Sequence, residues 1–266
     1  MTPVRLAATV ILARPPFEVY LTRRSGRSAF APDAFVFPGG TIEDQDASEA
    51  VQARTLGLDP ERVRGEFRAT IPDDLGSDEP PVELHTARAL MVAALRELFE
   101  EAGVLLARTA AGDPVAAGPP ECNGLEEDRT AMRAGSLTFA QFLARRNWYA
   151  DARALALFSH WITPRSEPRR YNTHFFFAQA PSDQAALADA FETHDGIWIA
   201  PAQALERYRA GSMHLVYPTI KHLARLSRFD STESALGFAR NKPVLTIVPR
   251  DGDDDFQIPP ALENAW

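Results

Sequence analysis

Three glutamates crowded into one turn's length near the middle of the chain constrain it more than any other feature. The segment reads Arg96-Glu97-Leu98-Phe99-Glu100-Glu101-Ala102-Gly103-Val104. Each helical residue turns about 100°, so Glu97, Glu100 and Glu101 share one face at i, i+3 and i+4. Met91, Leu95, Leu98 and Ala102 gather on the opposite face, where they can pack against a sheet. The helical pattern covers 86–102 and stops at Gly103, a natural C-terminal residue for a helix. Carboxylates this close repel one another, and a hard divalent cation, which prefers oxygen ligands, relieves that repulsion. A glutamate-rich face alone is also what a solvated helix surface looks like, so its context has to decide.

Upstream, apolar β-rich stretches at 6–13 and 17–22, separated by Pro15-Pro16, predict two strands, forming a hairpin. A polar stretch with Arg23, Arg24 and Arg27 leads to a short strand, 35–37, that ends in Pro38-Gly39-Gly40. Glycine there lets the backbone turn tightly and offer a carbonyl to a ligand or metal. A helix is expected near 47–56, then an acidic, proline-bearing loop over 72–83. Residues 109–123 read as a surface loop, and 124–134 and 138–146 as amphipathic helices. Strands are expected at 158–163, 173–178, 196–200 and 244–248, and helices at 201–210, 218–228 and 232–240. Strands and helices interleave without a regular βαβ repeat, which predicts one mixed α/β domain over 1–266. It carries an insertion at about 47–85, a helical segment at about 124–146 and extra C-terminal helices.

The formal charge of −8 argues against a nucleic-acid-coating protein, which would show a basic face. The apolar run at 6–13 is short, flanked by Arg5 and Arg14 and followed by prolines, which fits a strand better than a signal peptide. Nowhere do about 18 apolar residues run together, so no membrane helix is expected. The single cysteine, Cys122, allows no intrachain disulfide and suits a reducing cytosol. Only Lys221 and Lys242 accompany many arginines, which hints at a GC-rich bacterial genome.

The segment from Gly40 to Val104 resembles the box of the Nudix hydrolase superfamily, Gly-x5-Glu-x7-Arg-Glu-U-x-Glu-Glu-x-Gly-U, with U aliphatic. Arg96 through Val104 matches every specified position of its second half. Gly40 matches the first half, and Asp46 stands where the family has Glu. Between Asp46 and Arg96 lie 49 residues where the family usually has seven. One Nudix subgroup, which includes peroxisomal coenzyme A diphosphatases, carries a long insertion at this place. Trp161-Ile162-Thr163-Pro164, Arg170 to Thr173, Phe175 to Phe177, Glu192, Trp198, Pro201 and Tyr217-Pro218-Thr219 resemble that subgroup further along the chain.

The resemblance implies a Nudix-type α/β/α sandwich with a mixed sheet. It further implies Mg²⁺, with Mn²⁺ as a substitute, held by Glu97, Glu100, Glu101 and the Gly39 carbonyl. Arg96 would anchor the helix by pairing with a carboxylate, and Asp46 would act behind the ligands, with Gly40 and Gly103 structural. Glu192 is the candidate general base and Glu97 the alternative, with Glu101 essential to catalysis. A coenzyme A signature of some Nudix enzymes, Leu-Leu-Thr-x-Arg-Ser/Ala-x3-Arg-x3-Gly-x3-Phe-Pro-Gly-Gly, is matched at Leu21, Thr22, Arg24, Ser25 and Phe37 to Gly40. Tyr20, Ala29 and Asp33 replace its Leu, Arg and Gly. Arg23, Arg24 and Arg27 are therefore candidates for phosphate binding. The expected substrate is coenzyme A or an acyl-coenzyme A, with ADP-ribose or a nucleoside diphosphate sugar second and a non-catalytic Nudix-fold module third. A small nucleotide is the expected partner, without nucleic acid or membrane, and the insertion could cap the site or build a homodimer. No Gly-x-Ser-x-Gly elbow, Walker loop or zinc-type spacing competes, and the acidic run 251–255 reads as a solvated turn.

Overall fold

The computed structural model describes residues 4–26, 31–67, 69–70, 82–116, 124–187, 193–251, 256–260, 262 and 266. The apolar run after Arg5 forms β1 (Val4–Arg14) and turns through a cis Pro15-Pro16 peptide into β2 (Glu18–Arg24). Short strands β3 (Phe35–Val36) and β4 (Gly39–Thr41) follow, then a 3-10 turn, Asp44–Ala47. Next come α1 (Glu49–Gln52), β5 (Thr55–Leu56), α2 (Pro60–Glu66) and β6 (Ala69–Thr70). The acid-bearing helix is α3 (Leu84–Ala102), which Gly103 ends at φ 67°, a left-handed conformation that favours glycine. Beyond it lie β7 (Ala107–Thr109), α4 (Leu125–Arg133), α5 (Phe139–Arg146) and β8 (Trp148–Asp151). The chain continues through β9 (Ala156–Ile162), β10 (Arg170–Gln179) and β11 (Thr193–Ile199). It then forms α6 (Pro201–Arg209), α7 (Tyr217–Leu226), α8 (Thr232–Asn241) and β12 (Val244–Ile247).

The main sheet runs β11-β2-β1-β10-β9-β12-β6, with β3 on β2 and β4 on β1. It is mixed: β1 lies parallel to β10 and antiparallel to β2 and β4. Side chains alternate across a strand, so Ala8, Val10 and Leu12 join Phe176 and Ala178 in the core beneath α3. Ile11 and Ala13 join Phe175 and Phe177 on the other face, under α7 and α8. Helices therefore cover both faces, and the fold is an α/β/α sandwich.

The insertion departs from the expected helix at 47–56. Helix α1 ends at Gln52 because Thr55 and Leu56 leave it to pair with Ala150 and Asp151 of β8. A second helix, α2, not expected from the sequence, starts where Asp59 accepts from the Arg62 N–H and Pro60 fills the first turn, both ordinary start signals. Val51, Leu58 and Val63 lie in the same core as α3, so this part of the insertion is packed and is no surface loop. Of the acidic loop at 72–83, residues 72–81 lie outside the described residues, as does Cys122. Helices α4 and α5 close over α3 from the outside, where Phe142 stacks on Phe99 with ring centroids 4.9 Å apart. As a result α3 is buried almost all round.

Candidate active site

A cleft of about 900 Å³ opens where β1, β4, β9 and β10 meet α3 and α7. Its floor is built from paired side chains of the parallel strands: Arg5 beside Tyr171, Ala7 beside Thr173 and Thr9 beside Phe175. Strand β4 adds Thr41 beside Ala7 and Gly39 beside Thr9, and β9 adds Trp161 beside Thr173. With strands about 4.8 Å apart, β4 and β9 stand roughly 14 Å from each other across this floor. The α3 carboxylates lie on the β4 side, and Trp161 lies on the β9 side.

On the acidic side, the Gly39 N–H donates to Glu101 Oε2 at 2.9 Å. A Cβ on Gly40 would stand 2.4 Å from Glu97 Oε1, so a bare glycine makes room for that carboxylate. A Cβ on Gly39 would meet the Ala8 carbonyl at 2.4 Å and Thr9 Cα at 2.6 Å, which binds β4 closely to β1. Arg96 grips Asp46 with both arms of its guanidinium, Nε to Oδ1 at 2.8 Å and Nη2 to Oδ2 at 2.9 Å. Both side chains are buried, and Asp46 Oδ2 also accepts the Glu43 N–H at 2.8 Å. The remaining nitrogen, Nη1, reaches Glu97 at 2.9 Å and Glu100 at 3.3 Å. Burial pushes the Glu97 carboxyl up to about 7 against the pull of Arg96. It raises Glu100 as well. Burial opposes the charge on Arg96, but the bond to Asp46 and the surrounding acids hold its pKa above the ordinary value.

Behind the acids, Arg129 Nε donates to the Glu100 carbonyl at 2.8 Å and Nη2 to the Leu187 carbonyl at 2.9 Å. The Glu100 carbonyl belongs to the last turn of α3, where helix carbonyls lack helical partners, so Arg129 serves as a side-chain cap. On the aromatic side, the Trp161 indole N–H donates to Ser159 Oγ at 3.1 Å, and Ser159 Oγ lies 2.6 Å from His222 Nε2. His222 Nδ1 meets the Pro218 carbonyl at 2.6 Å. Burial pushes His222 down to about 3, so the ring is neutral, Nδ1 carries its proton, and Nε2 accepts from Ser159. This relay ties β9 to the first turn of α7, whose Tyr217, Pro218 and Thr219 line the cleft.

The structure brings Glu97, Glu100, Glu101, Gly39, Gly40, Arg96 and Asp46 into one neighbourhood, with Gly103 closing the helix. Arg24 lines the cleft. Arg23 does not, and pairs instead with Asp33 at 3.2 Å and Asp195 at 3.9 Å. Asp33, which replaces the glycine of the signature, keeps a glycine-like φ of 59°. Arg27 and Glu192 lie outside the described residues. Four acidic or arginine residues of the cleft are not among the candidates from the sequence: Glu43, Glu167, Arg5 and Arg133. Glu43 carried a signal, because it forms a reciprocal cap with Asp46 three residues on. The others follow strands or helices whose partners only folding decides.

The residues suit a divalent cation. Glu97, Glu100, Glu101 and Glu43 supply hard oxygen donors, and burial disfavours the charge of Glu97 and Glu100, which a bound cation would offset. Among the described residues no three such groups converge on a single point, since Glu97 and Glu100 are turned onto Arg96.

Comparison with known proteins bears on this arrangement. Residues 2–226 match the model of the NUDT19 Nudix domain. The chain is 29% identical over 293 residues to the acyl-coenzyme A diphosphatase NUDT19 of Gallus gallus, covering 93% of this chain and 76% of that one. It is 29% identical over 262 residues to the same enzyme of Homo sapiens, covering 85% and 69%. A solved NUDIX hydrolase from Alicyclobacillus acidocaldarius superposes with a TM-score of 0.69 at 26% identity, covering 89% of this chain and 97% of that one.

Proposed function

This chain belongs to the NUDT19 Nudix domain family, and we propose that it hydrolyses the diphosphate of coenzyme A or an acyl-coenzyme A. The products are 3′,5′-ADP and phosphopantetheine or its acylated form. The observation that carries this reading is the acid row of α3, held by the Arg96–Asp46 fork, facing an aromatic wall across one cleft. The relatives named acyl-coenzyme A diphosphatase support it.

Glu97, Glu100 and Glu101 would hold Mg²⁺, or Mn²⁺ in its place, with the Gly39 carbonyl as a further oxygen. Such an ion neutralises charge developing on the diphosphate and eases deprotonation of the attacking water. Asp46 keeps Arg96 in place, and Arg96 in turn sets the Glu97 and Glu100 carboxylates. Glu192 is the candidate base for the attacking water, and Glu97, packed against Gly40, is the alternative. Arg24 lies in the cleft to steer the diphosphate. Arg27 would assist it, whereas Arg23 bears on the substrate only by fixing Asp33. Trp161, Tyr171 and Tyr217 offer flat apolar surface to the organic parts of the substrate. No helix among the described residues is long and apolar enough to cross a membrane. A cytoplasmic location and a homodimer built on the insertion complete this reading, and size-exclusion chromatography tests the dimer.

The direct test offers coenzyme A, acetyl-coenzyme A and ADP-ribose side by side with Mg²⁺, using Glu101→Gln as control. Release of 3′,5′-ADP by the wild type alone is the expected result. Preferential release of AMP from ADP-ribose would replace the coenzyme A reading with a nucleoside diphosphate sugar one.

A further inference from the structure

The coenzyme A signature contains an arginine where this chain has Ala29, and the fold supplies a different cation to the cleft. Arg5 stands near the start of β1, on the strand face that lines the floor, with Tyr171 as its neighbour on β10. The side chain is exposed, and among the described residues it makes no hydrogen bond or ion pair. Other cleft cations are engaged: Arg96 by Asp46, Glu97 and Glu100, and Arg133 by Glu126, Thr130 and the Glu100 carbonyl. Glu167 lines the cleft too, yet forms no ion pair with Arg5.

Position along the strand narrows what Arg5 can reach. The acids lie against Gly39 and Gly40, whose register partners on β1 are Thr9 and Ala8. Arg5 comes two residues before Ala7 on the same face, about 7 Å further along the strand, and so one row beyond the floor positions bordered by β4. A group bound there is displaced from the bond being cut while still belonging to the same nucleotide. We propose that Arg5 recognises a phosphate monoester on the substrate, the 3′-phosphate that distinguishes coenzyme A from dephospho-coenzyme A. This rests on the coenzyme A reading above. A planar guanidinium matches a dianionic phosphate with two parallel N–H donors, and a cation without a partner among the described residues loses none of them by turning to it.

The test compares wild type, Arg5→Gln and Arg5→Lys on coenzyme A and dephospho-coenzyme A. Calorimetric binding of 3′,5′-ADP and 5′-AMP is measured in parallel, an arm that needs no turnover. The wild type is expected to prefer the phosphorylated member of each pair. Arg5→Gln should shrink that preference about tenfold to a hundredfold, through KM with kcat kept, and Arg5→Lys should retain part of it. The melting temperature should not change. Equal losses on both substrates would place Arg5 at the shared diphosphate and overturn the proposal, as would an unchanged preference or a wild type that shows none. A wild type that binds 3′,5′-ADP through Arg5 but cleaves only ADP-ribose would sink the coenzyme A reading and leave the phosphate-monoester assignment standing.

Discussion

Asp46→Ala removes one partner of a buried fork and leaves the other in place. Asp46 is fully buried and Arg96 is 1% exposed, so no solvent replaces the two charge-assisted bonds of 2.8 and 2.9 Å. Breaking a buried pair from one side costs about 3–5 kcal/mol, because the surviving charge is stranded. Glu97 and Glu100 still face Arg96 Nη1, which points to the lower end of that range. The Glu43 N–H also loses its acceptor. In a domain of this size each kcal/mol moves the melting temperature by roughly 2–4 °C, so a fall of roughly 6–20 °C is expected. Calorimetry on Asp46→Ala, Arg96→Met and the double variant separates pairing from bulk loss. If the logic holds, the double variant is less destabilised than the two singles added together. Simple additivity, or a fall below about 2 °C in Asp46→Ala, would refute the account of Asp46 as the tether between the glycine loop and the acid helix. Activity should also drop in Asp46→Ala, since an untethered Arg96 no longer sets Glu97 and Glu100.

The two neighbouring glycines should separate stability from catalysis. In Gly40→Ala the three atoms nearest the new methyl all belong to the movable end of Glu97, so kcat should fall at least tenfold with little change in melting temperature, read by turnover and thermal scan together. In Gly39→Ala it meets backbone of β1, so the melting temperature itself should drop. Phe142→Ala, which empties a buried stack on Phe99, should cost about 3–5 kcal/mol by urea denaturation. Acid should unfold the protein early. Burial holds His160 down to about 4 and His222 to about 3, against an ordinary value of 6.5. The unfolded chain therefore takes up protons first, and their stabilisation is complete above pH 6.5 and shrinks as pH falls toward 4. Between pH 6.5 and pH 5 each histidine gives up about 2 kcal/mol. A urea midpoint that stays constant from pH 7.5 to pH 5 in a Glu97→Gln, Glu100→Gln background, where the opposing titrations of both raised glutamates are gone, would contradict this.

Much of the molecule follows from local rules. Alternating and apolar runs set β1, β2 and the later strands, and Gly103 ends α3 in a conformation that costs other residues more. Turn geometry alone places Glu97, Glu100 and Glu101 on one face of that helix. The sequence did not decide whether this face meets water. Helices α4 and α5, the core-packed half of the insertion and the sheet together enclose α3, and that enclosure raises Glu97 and Glu100. No window along the chain contains it. The Asp46–Arg96 fork joins residues separated by 49 others. The pairing of Arg5 with Tyr171 depends on β1 lying parallel to β10, a choice made by the whole sheet. Spacing along the chain is a local property and determined which groups could act together. Burial and cross-strand register arise only when distant segments pack, and they decided which groups meet in the cleft and with what charge.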